Sequence, residues 1–472
     1  MSGYREKLCA VIGLARAGIP AARFLAERGN RVVGYDDKLL SELPEEARKL
    51  QNVGVELKVG DHQYAGLQKA DLIILSPGLK VHHEPLKSLL EASDRRHVEI
   101  IGELELAARH CPAPMIAVTG TKGKSTTTKL IAEMIAACGE KVVRAGNSGI
   151  PLIAELPNLT PDSWAVVEVS SFQLERAPTF KPRVAVLLNL LADHQDYHPS
   201  LEQYWSTKLK LFAYQKTGDV AIYNADDARV NEVIEGKVLS LPQSDAQRWL
   251  SSGRSEADGA GVRDGHLGFE VNGEFVSFIA LSELPLRGEH NHSNLAAALA
   301  AVRGALGDDK VVASREAIAQ AIREFQSLPH RLEIVAQKGD VTWVNDSQAT
   351  IPDATIRAVQ AFPAPVILIA GGRNKLNDLS GYDALGEAIA QHVQTLITIG
   401  EASEIIANAA EQAGLPRERV VNAHDLSSAV QTAQQMTPAG GTVVLSPSCA
   451  SFDQFKSFEE RGEKFREAVA AL

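Results

Sequence analysis

Short runs of β-branched and other apolar residues alternate with helix-length stretches along the whole chain, and the alternation restarts three times. A strand followed by a helix and then another strand pairs in parallel only by crossing over a face of the sheet. Such a chain therefore folds as parallel sheets covered by helices. The first block opens with a strand at 8–13, a turn and a helix through Arg28, which Gly29-Asn30 ends; further strands follow at 31–35 and 71–75. The second has strands at 115–119, 141–145, 164–169, 184–188 and 220–223, and helices at about 124–138, 291–306 and 313–325. Between them, Asp264-Gly265 and Asn272-Gly273 separate alternating apolar residues, which predicts hairpins and an antiparallel extension. The third has strands at 341–344, 366–369, 395–399, 419–421 and 442–445 and a closing helix at 458–470. Cys111-Pro112-Ala113-Pro114 and residues 326–329 read as linkers, giving domains at 1–112, 113–327 and 328–472. At about 150 residues per domain, 472 residues suit that count.

Composition narrows the partners. Lys plus Arg number 48 against 59 acids, a net charge of −11, so no global basic field for nucleic acid exists, although a local basic site stays open. Aromatics at 5% argue against base-stacking surfaces, and no nucleic-acid partner is expected. No apolar run approaches the roughly 18–20 residues of a membrane helix, and no cleavage site follows the short apolar run at 8–14, so neither membrane insertion nor a leader is expected. The four cysteines are far apart and form no CxxC, which speaks against a metal knuckle or a disulfide framework and for the cytoplasm.

The strongest local motif is Val118-Thr119-Gly120-Thr121-Lys122-Gly123-Lys124-Ser125-Thr126-Thr127, between an apolar strand and a helix. Glycines let backbone N–H groups turn inward, and the helix N-terminus adds partial positive charge. Lys124 can reach terminal phosphates and Ser125 can ligate magnesium. The spacing is shorter than GxxxxGK[ST], because position 118 is Val. A second turn, Gly13-Leu14-Ala15-Arg16-Ala17-Gly18, resembles a dinucleotide fingerprint with Ala15 in place of the middle glycine, and Asp36 stands where a ribose-binding acid would. Alone, that turn fits a close-packed corner as well as a nucleotide pocket.

Four further segments act together with the phosphate loop: Glu168-Val169-Ser170-Ser171-Phe172-Gln173-Leu174; Asn189-Leu190-Leu191-Ala192-Asp193-His194 with Lys208 downstream; Pro329-His330-Arg331-Leu332-Glu333; and Asn345-Asp346-Ser347-Gln348-Ala349-Thr350. In this order they resemble the Mur ligase family, ATP-dependent amide-bond synthetases of peptidoglycan precursor assembly. Two more segments, Ala370-Gly371-Gly372-Arg373-Asn374-Lys375 and 446–458 followed by Arg461-Gly462, are most similar to the members that add D-glutamate.

The resemblance implies three α/β domains: a Rossmann-like N-terminal domain, a central P-loop mononucleotide-binding domain with the antiparallel extension, and a Rossmann-like C-terminal domain. It implies UDP-N-acetylmuramoyl-L-alanine, D-glutamate and ATP as substrates, with an acyl phosphate attacked by the amine. A carboxylate must then meet a triphosphate, and cations offset their repulsion. The carry-over gives ATP contacts to Gly120, Thr121, Lys122, Gly123, Lys124, Ser125, Thr126, Asn291, Asn294, Arg331 and Asp346, so that ATP lies between the second and third domains. Asn291 and Asn294 also read as an N-cap cluster for the following helix. Ser125 and Glu168 would hold one magnesium ion, His194 and a carbamylated Lys208 a second, with Lys124, His194 and Lys208 catalytic. The UDP-linked substrate would use Arg16, Ala17, Asp36, Gly78, Ser170 and His330, and Asn147 would contact the ATP phosphates or the substrate. D-glutamate would use Thr350, Lys375, Ser451, Phe452 and Phe458. The third domain is expected to close on its ligands, the chain to be a monomer, and NAD to play no part. Gln348 stands where many relatives carry Lys, and Lys122 where Asn is common, each changing the local charge by one. Three rivals fit less of the chain. An NAD-dependent oxidoreductase leaves the phosphate loop without a use, and a folylpolyglutamate synthetase lacks a separate N-terminal nucleotide domain. A non-catalytic nucleotide-binding regulator would form no ADP.

Overall fold

The computed structural model describes residues 6–61, 64–79, 81, 84–195, 197–286, 288–326, 329–374 and 380–472. Three parallel or mostly parallel sheets carry the fold. In the first, Leu8–Ile12 is central, with Arg31–Asp36 and Glu56–Val59 on one side and Leu72–Leu75 and Glu99–Gly102 on the other, all parallel. The chain leaves the central strand in opposite directions, so a crevice opens at its carboxyl end, where Gly13 begins the turn.

The second sheet runs Gln247–Ser251, Val220–Asn224, Val184–Leu187, Met115–Thr119, Ser163–Glu168, Lys141–Gly146, again all parallel. After Met115–Thr119 the chain builds two strands on one side and then three on the other. The phosphate loop therefore emerges at the switch point, flanked by the ends of Ser163–Glu168 and Val184–Leu187. Met115–Thr119 is buried along its whole length, which explains its uninterrupted apolar sequence. A three-stranded sheet of Gly261–Arg263, His266–Val271 and Glu274–Ala280 is the expected extension. Asp264 and Gly265 have φ of 50° and 72°, and Asn272 and Gly273 have 52° and 84°, the left-handed pairs that two-residue hairpins demand.

The third sheet runs Glu333–Lys338, Val341–Asn345, Thr442–Leu445, Val366–Gly371, Val393–Ile399, Val420–His424; only the first pair is antiparallel. Its two faces carry separate apolar cores, one around Leu368 and Leu396, the other around Trp343 and Phe465. Among the described residues no helix is long and apolar enough to cross a membrane.

The chain divides into two compact units. One comprises Met1–Leu191, Pro199–Ile279 and Ser293–Ala321; the other comprises Ala192–His198, Ala280–His292 and Ile322–Leu472. Within the first unit, the helix Glu103–His110 ties the first sheet to the second. Ile153 N donates to Glu103 Oε1 at 2.9 Å, Thr179 N to Glu105 Oε2 at 3.1 Å, and Gly102 N to Arg176 O at 2.7 Å. Glu105 is buried but ion-paired with Arg109 at 2.8 Å. Glu103 is buried, its Oε2 has no hydrogen-bond partner, and burial pushes its carboxyl from the ordinary 4.5 up to about 7, against the Ile153 amide and the Arg16 charge.

Because the folded-state value lies above the unfolded one, the folded chain holds the extra proton. That stabilisation is complete below about pH 4.5 and is lost as pH rises through about 7. A gap of that size corresponds to about 3 kcal/mol. Glu103→Gln cannot ionise and is expected to gain stability over the wild type at pH 8 but not at pH 4.5. Urea unfolding at the two values checks this, and an equal difference at both would exclude titration of Glu103.

Candidate active site

The phosphate loop is built by glycine geometry. Gly120 has φ of 152° and Gly123 has φ of 86°; a Cβ on Gly123 would lie 2.4 Å from Asn294 Oδ1. Gly123 caps the helix Lys124–Ala137, so the orphan N–H groups of its first turn face the loop. The loop is clamped from the neighbouring strand. Lys122 N donates to Asn189 Oδ1 at 2.8 Å, and Asn189 Nδ2 returns a bond to Lys122 O at 3.0 Å. Thr121 Oγ1 accepts from Leu191 N at 3.0 Å and from the Tyr204 hydroxyl at 3.3 Å.

Lys124 folds back over the loop, its Nζ donating to Gly120 O and Thr121 O, both at 2.9 Å. Lys208 reaches the same loop from the helix Leu201–Leu209. Its side chain is 1% exposed, its Nζ donates to Gly120 O at 3.0 Å, and it lies over the Tyr204 ring at 4.5 Å. Ser125 Oγ donates to Glu168 Oε2, and Asn147 Nδ2 donates to Glu168 Oε1 at 3.1 Å. Ser125, Glu168 and Asn147 thus form one hydrogen-bonded row beside the loop. Ser170 is taken up locally as the N-cap of Ser171–Glu175, in a capping box with Gln173.

The first glycine turn stands at its own switch point. Gly13 N bonds Tyr35 O at 2.8 Å, Ser76 Oγ bonds Gly13 O at 2.7 Å, and a Cβ on Gly18 would fall 1.8 Å from Gly13 O. Asp36 accepts from Leu14 N at 2.7 Å and Lys38 N at 3.0 Å, so it braces the turn. Ala17 precedes the helix Gly18–Ala26, Gly78 has φ of 82°, and Arg16 Nη2 donates to Asn147 O, linking this turn to the Glu168 row.

The second unit holds most of the remaining predicted residues, while Asn294 belongs to the first. Asp346, at the end of Val341–Asn345, accepts from Leu332 N at 3.1 Å and the Ser446 hydroxyl at 2.8 Å. Arg331 Nε donates to Gln348 Oε1. His330 has φ of 64° and is buried. Its Nδ1 meets Asn345 Nδ2 at 2.9 Å, and burial, then Arg466, hold its pKa below the ordinary value. The ring packs on Gly462, where a Cβ would approach Nδ1 to 2.1 Å, and edge-on to Phe458 at 6.2 Å. Ser451 is buried, Thr350 half-buried and Phe452 exposed. His194, at φ of 53°, belongs to this unit through the segment Ala192–His198 and lies 3.8 Å from its neighbour Asp193. Lys375 falls outside the described residues.

One expectation is corrected. The helix expected from 291 begins at Glu289, so Asn291 and Asn294 lie inside it and cannot be its N-caps. Asn294 instead abuts Gly123. Sequence reasoning passed over Tyr204, which bonds Thr121, and gave no role to two residues that its motifs contain, Asn189 as the loop clamp and the buried Arg461. A signal existed for Arg461: it stands four residues before Phe465 and eight before Val469, on the apolar stripe that this helix buries.

A glycine-bounded loop on a helix N-terminus, at the switch point of a parallel sheet, with a lysine and a serine–carboxylate pair at its mouth, defines a P-loop-like phosphate-binding α/β protein. Residues 7–102 match the Mur ligase MurD-like N-terminal domain, 118–302 the Mur ligase middle domain, and 330–449 the Mur ligase glutamate ligase domain. The chain is 37% identical over 475 residues to the UDP-N-acetylmuramoylalanine--D-glutamate ligase of Pelotomaculum thermopropionicum, covering 100% of this chain and 99% of that protein. It is 38% identical over 467 residues to the ligase of the same name from Geotalea uraniireducens, covering 99% and 98%. This chain belongs to the Mur ligase family. Solved structures share the fold at lower identity. MurF ligase of Thermotoga maritima in complex with ADP has a TM-score of 0.58 at 15% identity, covering 98% of each chain. A pseudomurein peptide ligase of Methanothermus fervidus has a TM-score of 0.57 at 18%, covering 98% and 99%.

Proposed function

We propose that the chain joins D-glutamate to UDP-N-acetylmuramoyl-L-alanine at the expense of ATP, in the cytoplasm, as a step of peptidoglycan precursor assembly. The observation that carries this reading is the match of all three Mur ligase domains, in order, on a chain 37% identical along its length to a relative of that name. In the first half-reaction an alanyl carboxylate oxygen attacks the γ-phosphorus and the bond to the ADP oxygen breaks. In the second, the amine of D-glutamate attacks the acyl carbon, inorganic phosphate leaves, and the amine loses a proton.

The chain's own groups suit these steps. The N–H groups around Gly120–Ser125 and the Lys124 ammonium face accumulating phosphate charge. Ser125 Oγ and Glu168 Oε2 already touch, and this oxygen pair fits magnesium, which keeps waters and phosphate oxygens for its other positions. Bound there, the ion would neutralise charge on the phosphates. Lys208 is buried at the loop, and a carbamate on it would offer two oxygens that share one negative charge. Together with His194 it is assigned to a second magnesium ion. Asn291, Asn294, Arg331 and Asp346 are assigned to the nucleotide, the 13–18 turn with Asp36 and Gly78 to the uridine diphosphate, and Thr350, Lys375, Ser451, Phe452 and Phe458 to the amino acid.

The test is ADP release across amino acids with the UDP-linked acceptor present. Turnover should require D-glutamate and the acceptor together. Robust turnover with L-lysine or diaminopimelate and none with D-glutamate would overturn the reading.

A further inference from the structure

Among the described residues of the second unit, Arg461 is the most deeply buried cation, with 1% of its surface exposed, in the helix Phe458–Ala470. A buried guanidinium is ordinarily matched by a carboxylate, because taking the charge out of water costs several kcal/mol. Among the described residues Arg461 has no such partner within ion-pair distance. Its donors go to neutral oxygens: Nε to Ser347 Oγ at 3.0 Å, and Nη2 to Ser347 O at 2.8 Å and Cys449 O at 3.1 Å. Nη1 has no hydrogen-bond partner. That nitrogen faces Gly372, where an added Cβ would come within 3.1 Å of it; with φ of 133° and Ala450 O only 2.3 Å from the same point, the position admits glycine alone. Burial pulls the guanidinium down to about 10, so it remains charged at pH 7.

The three loops it braces leave the carboxyl ends of adjacent strands. Ser347 begins the run to Thr350, Cys449 the run to Ser451, and Gly372 the run to Asn374. Arg373 and Ala450 exchange backbone bonds at 2.8 and 3.0 Å, joining the last two. Ser347 Oγ donates to Phe458 O at 2.8 Å, which fixes the start of the helix as well.

We propose that Arg461 is a positioning and specificity-determining residue for the incoming amino acid, locking these three loops in one arrangement and holding beneath them an unneutralised positive charge that favours a dicarboxylate. This rests on the reading of the site given above. A field from a buried charge is only weakly screened, so it favours an anionic ligand even without contact. Asp453 and Asp346 offset the charge only at a distance.

The experiment measures KM for ATP, the UDP-linked acceptor and D-glutamate separately, in wild type, R461K and R461A. For both variants KM for D-glutamate should rise about ten- to a hundred-fold, as for loss of a charge-assisted fork, while the other two change less than about three-fold. R461K keeps the charge but cannot hold three oxygens as a planar fork, so its loss should be smaller than that of R461A. Millimolar guanidinium should lower KM for D-glutamate in R461A and leave the wild type unchanged. If R461A does not fold, R461K alone decides. Equal changes in all three KM values, or a fall in kcat and Tm with KM for D-glutamate unchanged, would overturn the proposal. A wild type that releases ADP only with another amino acid would instead overturn the proposed function, and the same KM comparison would then be made with that amino acid.

Discussion

Lys124→Ala is expected to lower kcat for ADP release by about a thousand-fold, the loss typical of removing one preorganised donor from a charge-developing transition state. In the structure the ammonium is parked on Gly120 O and Thr121 O, both at 2.9 Å, in a half-buried position at the start of a helix. Gly120 O keeps its bond from Lys208 Nζ at 3.0 Å, so only the Thr121 carbonyl loses a donor, and the change in stability should stay within about 1–3 kcal/mol. A large kinetic effect on an intact fold follows. Lys124→Arg should not restore activity, because a planar fork cannot occupy the space of a compact ammonium between two carbonyls. A variant that keeps a tenth of the wild-type rate would show that Lys124 does not meet the phosphates.

Lys208 should give a loss of similar size by a different route. Its side chain is 1% exposed, held by Gly120 O and the Tyr204 ring, with Thr121 bonded to the same tyrosine. Truncation to alanine would open a cavity beneath the loop and confuse folding with chemistry, at about 2–5 kcal/mol for a large side chain. Lys208→Met fills nearly the same volume without the amine and is the informative variant. Its expected rate is lower by about a thousand-fold or more, as for loss of a group that organises catalytic charge. If the amine works as a carbamate, wild-type activity should also fall in CO2-depleted buffer and return with bicarbonate, while the methionine variant ignores both. Wild-type activity indifferent to CO2, with Lys208→Met inactive, would assign the requirement to the free amine.

The strands that local pattern hid all lie at sheet edges, although two edges, Lys141–Gly146 and Val420–His424, carried enough Val to be read. Met115–Thr119, Val366–Gly371 and Thr442–Leu445 are interior strands, buried on both faces, and read as continuous apolar runs. Glu56–Val59, Glu99–Gly102, Gln247–Ser251 and Glu333–Lys338 escaped the reading, and every one is a sheet edge. An edge strand has one solvated side, so it carries Glu, Lys, Gln and Arg among its apolar residues and loses the periodic signal. The short helix Glu103–His110 was hidden for a related reason. It buries two glutamates, Glu103 and Glu105, whose partners lie some 50 and 74 residues away in sequence.

The sequence by itself determined the alternating α/β class, the hairpins at Asp264-Gly265 and Asn272-Gly273, and the phosphate loop. All of these rest on local rules: side-chain period, left-handed φ at particular residues, and glycines before a helix. Only the tertiary structure decided which strands are neighbours, and so which side chains share the loop mouth. It set Asn189 against Lys122, Ser125 against Glu168 and Lys208 against Gly120, pairs separated by 67, 43 and 88 residues. It also left Arg461 charged and buried among neutral oxygens. The reason is physical: hydrogen bonding and desolvation depend on distances of a few ångströms in space, which strand order and crossover fix and residue spacing does not record.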